Sequence, residues 1–216
     1  MNNLLNIIIH YVILFIVFAF SISLHECAHA YAAYRLGDST AKDQGRITLN
    51  PKKHLDPLGT LMIFLIGFGW AKPTPVNAMY FENRKKGVMI SSFAGPLSNF
   101  LFAVILAFPL LYLRMNLSSL AGVYILKALE SAFNINVILA IFNMLPIPPL
   151  DGSKILSGIL PPRYYYKMLE YQTYIMIAFV ILMFTGILGN YILWPLVSKV
   201  EGVILFIASA ILGVFG

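Results

Sequence analysis

Residues 4–33 run LLNIIIHYVILFIVFAFSISLHECAHAYAA. No Asp, Glu, Lys or Arg interrupts the chain from its start to His25, and about 20 apolar residues are enough to cross a bilayer as a helix. The pattern predicts one helix over 4–33, apolar to Leu24, ending near Gly37, a residue suited to a helix C-terminus. His25, Glu26 and His29 sit at the polar end of that span. Ionisable groups are expensive in lipid, so this cluster marks a functional site by default.

Uncharged runs recur at residues 87–113, 131–150 and 171–198. The whole chain of 216 residues is 59% hydrophobic and 11% charged, with a mean hydropathy of +0.80, against roughly 25% charged residues in soluble domains. A soluble globular enzyme is excluded, and the expected class is an all-α polytopic membrane protein in contact with the lipid bilayer. An appended soluble domain of about 100 residues has no room. The net charge of +6 does not indicate a nucleic-acid partner, because the basic residues are scattered through connections, as membrane topology requires. A single cysteine, Cys27, excludes an internal disulfide framework. The N-terminal run lacks the basic start and small-residue cleavage site of a signal peptide and is expected to remain as a span.

Residues 57–70 are apolar but only 14 long, short for a crossing and suited to a re-entrant segment. Charge supports that reading. Arg35, Lys42, Arg46, Lys52 and Lys53 precede the segment, and Lys72, Arg84, Lys85 and Lys86 follow it. Both groups share one face if the chain dips and returns. Spans over 87–113 and 118–144 then bring Lys154, Arg163 and Lys167 to the same basic face, read as cytoplasmic. Further spans are expected over 168–189 and 191–215, joined by a turn at Gly189-Asn190, with Pro195, Lys199 and Glu201 interrupting the last. Gly45–Leu49 (GRITL), followed by Asn50-Pro51, reads as a short strand ended by a turn.

The spacing of His25 and His29 places two imidazoles about 40° apart around a helix, close enough to share one metal ion, with Glu26 beside them to reach a metal-bound water. Zinc lowers the pKa of such a water to about 7, and a carboxylate can take its proton. A catalytic zinc needs a third protein ligand. Asp151 is a candidate, at the end of an uncharged run of 20 residues that closes with NMLPIPPLDG, residues 143–152. Three prolines break the helix there, and unwound backbone at membrane depth must line a cavity or be buried in protein. The alternative is that Asp151 caps a helix beginning near Ser153. Cys27, about 200° from His25, points away from the metal side, and His10 is a lone imidazole. Lys127 and Glu130 have the spacing of an intrahelical pair.

Five ordered stretches together resemble the site-2 protease family of intramembrane zinc metalloproteases: HECAH at 25–29, GRITLNPKKHLDPLG at 45–59, GWAKPTPVN at 69–77, AGPLSN at 94–99, and NMLPIPPLDG at 143–152. The resemblance covers about residues 20–160. It implies one zinc held by His25, His29 and Asp151, with Glu26 as general base in a three-helix core. It also implies Asn143 in holding the substrate peptide and His54 as an accessory substrate-binding residue. The expected organisation is a single protease domain over 1–216, with a core at about 4–160 and C-terminal helices at about 165–216. An extra leading helix and a PDZ-like or CBS-like insertion, carried by some members, are expected to be absent.

A transmembrane substrate hides its peptide bonds in its own hydrogen bonds, so a protease must bind it extended. Residues 45–49 and 71–77 are candidate edges for strand addition, though ordinary membrane-proximal loops would read the same way. The small residues of 94–99 suit close helix packing, with Asn99 able to hydrogen-bond a neighbour. The implied activity is hydrolysis of a peptide bond in or near a transmembrane segment of a membrane-protein substrate. A membrane zinc transporter or sensor would use the same ligands without hydrolysis, and a proteolytically dead scaffold would not need an intact HExxH. Serine and aspartyl intramembrane proteases fit poorly: there is no GxSxG, and Gly67-Phe68-Gly69-Trp70 lacks the Asp of an aspartyl pair.

Overall fold

The computed structural model describes residues 3–66, 69–116 and 119–213, so Gly67, Phe68, residue 118 and residues 214–215 of the expected segments lie outside it. In chain order the helices are α1 (Asn3–Arg35), α2 (Thr40–Asp43), α3 (Pro57–Ile66), α4 (Arg84–Met115), α5 (Leu120–Asn143), α6 (Asp151–Ile159), α7 (Pro162–Glu170), α8 (Gln172–Phe184) and α9 (Trp194–Ile211). Four helical stretches are long and apolar enough to cross a membrane: Leu4–Arg35, Arg84–Met115, Leu120–Asn143 and Gly189–Ile211. The chain is an all-α, multi-pass membrane protein.

α1, α4 and α5 pack against one another, α6 and α9 lie against α4, and α9 also touches α5. Ala103, Ala107, Leu110, Phe133, Val137, Val197 and Ile204 fill the space between α4, α5 and α9. The alanines let backbones approach closely, which is how helices associate where lipid is as apolar as the side chains. Asn83 caps α4 by accepting from Lys86 N, and Ser119 caps α5 by accepting from Gly122 N.

Between α1 and α4 the chain makes a short apolar helix and doubles back. α3 has ten residues, about 15 Å of helix, half the hydrocarbon thickness. Leu55 forms an isolated antiparallel bridge with Ala71, and Lys72 N donates to His54 O at 2.8 Å, so the two ends of the dip are clamped together. This is the re-entrant arrangement.

Two expectations need correction. Residues 45–49 form no strand, and no strand occurs among the described residues: Gly45, at φ +64°, closes a turn in which Arg46 N donates to Ala41 O. The stretch expected to cross over 168–189 is a pair of helices, Arg163–Glu170 and Gln172–Phe184, bent by 64°, which together are long and apolar enough to make a fifth, broken span. The turn expected at Gly189-Asn190 lies earlier, at Thr185-Gly186, where Gly186 supplies φ +75°. Residues 189–193 form a π turn that leads directly into α9. Pro195 accounts for the widening, since its ring displaces the carbonyl one turn back and it has no N–H to donate.

Candidate metal centre

His25 and His29 lie on α1, six to ten residues before Arg35, which places them about 9–15 Å from the basic end of that helix. Asp151 is the first residue of α6. All three are buried, and their donor atoms form a nearly equilateral triangle: His25 Nε2 to His29 Nε2 2.9 Å, and Asp151 Oδ2 to the two nitrogens 3.1 and 3.0 Å. Asp151 caps nothing. The residue before α6 is Leu150, no side chain caps that end, and the hydroxyl of Ser153 turns back to Leu150 O.

The groups behind the imidazoles fix their tautomers. Asn99, wholly buried, uses its Nδ2 to donate to Ser21 O and Asn136 Oδ1, so its Oδ1 is left as acceptor for His25 Nδ1 at 2.6 Å. His29 Nδ1 donates to Ser91 O at 2.7 Å. Both Nδ1 atoms therefore carry a hydrogen, which leaves both Nε2 atoms facing each other and a carboxylate oxygen. The three donor atoms lie close enough together to hold one metal ion. Tetrahedral ligands at about 2.0–2.1 Å from a metal stand about 3.3 Å apart, so an ion fits if the triangle opens by a few tenths of an ångström. Backing of each ligand histidine by an acceptor on its other nitrogen is the usual support of such centres.

Glu26 is oriented by the segment that returns from the re-entrant dip. Its Oε2 accepts from Thr74 N at 2.8 Å and Thr74 Oγ1 at 2.7 Å, and Arg46 Nη2 lies 4.0 Å from the same oxygen. Two cavities open on the centre. One, of about 530 Å³, is largely apolar and lies beside Ile22, Trp70, Phe142 and Phe179. The other, of about 320 Å³, is more polar and lies beside Thr74, Ser91 and Ser92.

A family model described as peptidase family M50 matches residues 113–185, a stretch that holds both Asn143 and Asp151. Over 195 residues the chain is 43% identical to YwhC of Bacillus subtilis, which is named as a zinc metalloprotease, with 88% of each chain covered. The chain belongs to peptidase family M50. It is thereby a hydrolase of the site-2 protease family. Rip2 of Mycolicibacterium smegmatis, likewise named as a zinc metalloprotease, is 33% identical over 153 residues, covering 66% of this chain and 55% of that one. Zinc metalloprotease MJ0392 of Methanocaldococcus jannaschii is 28% identical over 199 residues, covering 91% of this chain and 49% of that one. The chain thus spans most of YwhC and about half of the other two. No solved structure matches it.

Within this M50 chain the remaining residues expected at the site fall in two places. Asn143 lines the larger cavity beside His25, Glu26 and Asp151, while its Nδ2 donates to Leu139 O at 3.0 Å. His54 is buried, is not among the residues lining either cavity, and braces the loop through Nε2, which donates to Thr48 O at 2.7 Å. Burial, with the charge of Arg46 nearby, holds the His54 imidazole below its ordinary pKa and hence neutral. The expected pairing of Lys127 with Glu130 is replaced by Arg114, whose Nη2 donates to Glu130 Oε1 at 2.9 Å, because the end of α4 lies alongside α5.

Thr74, Arg46, Asn136 and Lys154 were not singled out as site residues by the sequence. Asn136 completes a buried relay across three helices, donating to Ser21 Oγ on α1 and Ala132 O on α5 while accepting from Asn99 on α4. An asparagine in the middle of an apolar run was the one available signal for it.

Proposed function

We propose that this M50 member is a zinc-dependent intramembrane endopeptidase that hydrolyses a peptide bond in or near a transmembrane segment of a membrane-protein substrate. The observation that carries the reading is the buried triangle of His25 Nε2, His29 Nε2 and Asp151 Oδ2, with Glu26 beside it at the meeting of two cavities. Two imidazoles and one carboxylate are the donor set of a catalytic zinc with a position left open. Zinc held there supplies Lewis acidity, polarising a carbonyl and easing deprotonation of water.

Glu26 is the general base and acid. It takes a proton from water as the water oxygen adds to the scissile carbonyl carbon, then gives that proton to the departing amine nitrogen as the C–N bond breaks. Thr74 holds one of its oxygens and so aims the other. The apolar cavity takes the extended substrate segment, with Asn143 in reach of its backbone. The basic residues around the re-entrant segment and α7 support a site that faces the cytoplasmic side of the cell membrane. The whole chain acts as one protease domain, with its catalytic core at about residues 4–160.

The test is cleavage by the purified protein and by Glu26→Gln, with metal analysis of both and of His29→Ala and Asp151→Ala. The expected result is one equivalent of zinc in the wild type and in Glu26→Gln, loss of cleavage in Glu26→Gln, and less than a full equivalent in the two ligand variants. Cleavage by Glu26→Gln would overturn the mechanism, and a full zinc complement in both ligand variants would remove the site.

A further inference from the structure

Lys154 stands one helical turn beyond Asp151 on α6. Its side chain is half exposed, and its Nζ donates to Asp151 Oδ1 at 3.2 Å, while the other carboxylate oxygen faces the two imidazoles. An ammonium has three N–H donors. One goes to Asp151, and the side chain borders open space on two sides. Glu26, Pro73, Asp151 and Lys154 line the large apolar cavity and the smaller polar one alike. A peptide strand lying in both cavities passes over these four residues, so the junction is where a bond is cut. Among the described residues, Lys154 is the only Lys or Arg in either lining.

We infer that Lys154 is a further catalytic residue of this site, donating to the oxyanion that develops on the scissile carbonyl. This rests on the proteolytic reading above. When the water oxygen bonds to the carbonyl carbon and its proton passes to Glu26, the π pair of the carbonyl moves onto the carbonyl oxygen. That oxygen becomes an anion beside two acidic side chains, Glu26 and Asp151. Arg46 is turned to Glu26 and to Lys72 O and lines neither cavity, so Lys154 is the side-chain cation on hand to add to the polarisation a bound metal would supply. A cation anchored to Asp151 Oδ1 is held near the reacting group before the charge appears, and a donor positioned in advance needs less reorganisation than one recruited during the reaction. The pair with Asp151 also explains why a lysine is tolerated at the mouth of an apolar cavity.

The experiment compares wild type, Lys154→Met, Lys154→Arg and Glu26→Gln, all zinc-saturated in detergent micelles. The probes are a quenched-fluorescence library of apolar, transmembrane-length peptides and a peptide phosphinate, whose anionic oxygens imitate the oxyanion. Removal of one oxyanion donor costs about 10²–10³ in kcat. Lys154→Met is expected to lose that much kcat with KM changed less than about threefold and the zinc dissociation constant unchanged. Phosphinate affinity is expected to fall by the same order of magnitude as kcat. Lys154→Arg, which keeps the charge, is expected to recover most of the loss. A kcat for Lys154→Met within about threefold of wild type, or phosphinate binding that does not weaken, overturns the assignment. Weakened zinc affinity that accounts for the whole loss also overturns it, because Lys154 would then act only by supporting Asp151. Activity retained by Glu26→Gln, or no cleavage by wild type, instead overturns the proteolytic reading and this assignment with it.

Discussion

Gly95 decides whether the metal triangle exists at all. A Cβ added there would stand 2.3 Å from His29 Nε2 and 2.7 Å from His25 Cε1, so the backbone of α4 is the wall against which both imidazoles rest. Alanine is the better helix former by about 1 kcal/mol, yet this site cannot take its methyl group. We expect Gly95→Ala to keep its far-ultraviolet helix signal while zinc stoichiometry falls below half and cleavage drops at least about 100-fold, as for ligand displacement. Normal zinc content in that variant would show that α4 does not press on the histidines. The four-residue spacing of His25 and His29 was readable in the sequence because one helix carries both. Asp151 was readable because few acids lie near membrane depth. Gly95 could be marked only as a small residue suited to packing, since which atoms its missing side chain admits depends on a helix 66 residues away in sequence. Thr74 was hidden for the same reason: nothing local distinguishes a threonine between two prolines that holds a buried carboxylate such as Glu26 from one that does not.

At the scale of elements, the re-entrant segment and α6 complete the candidate site around α1, and both are breaks in an otherwise apolar pattern. The dip was legible from its length and from charges on both flanks. The conformation of residues 45–49 was not, because two β-branched residues and a leucine after Gly45-Arg46 read like a strand, whereas the side chain of Arg46 is drawn inward to Lys72 O at 2.6 Å. The return of the dip is pinned by Gly59, where a Cβ would meet Trp70 O at 2.1 Å. Trp70, Ala71 and Pro73 border the larger cavity, and Thr74 next to them holds Glu26. Gly59→Ala therefore pushes the return segment away from Glu26 without touching the triangle. We expect a full equivalent of zinc with cleavage reduced about 100-fold, the usual cost of moving a catalytic group by about 1 Å. Metal analysis and initial rates measured on one sample separate this outcome from that of Gly95→Ala. Zinc loss in Gly59→Ala would tie the re-entrant segment to the metal itself.

Across the whole molecule, the candidate ligands join distant parts of the chain: His25 and Asp151 are 126 residues apart. Lipid offers helices little hydrophobic reason to associate, so cohesion rests on the alanine-rich packing of α4, on the relay of Ser21, Asn99 and Asn136, and on whatever ion joins α1 to α6. The relay is complete without metal, since each asparagine amide is satisfied within the bundle. Removing zinc should therefore loosen α6 and the proline-rich stretch before it while leaving α1, α4 and α5 together. An ion present at 100 times its dissociation constant stabilises the folded state by about 2.7 kcal/mol, which for a chain of this size corresponds to roughly 5–11 °C in midpoint. Chelation of the wild type is expected to lower the thermal midpoint by that amount and to speed proteolytic cutting between α5 and α6. Asp151→Ala, already lacking one ligand, is expected to shift by less than half as much under the same chelator. An equal shift in both proteins would mean that the stabilising ion is bound elsewhere, and no shift in the wild type would mean that α6 is held by packing alone.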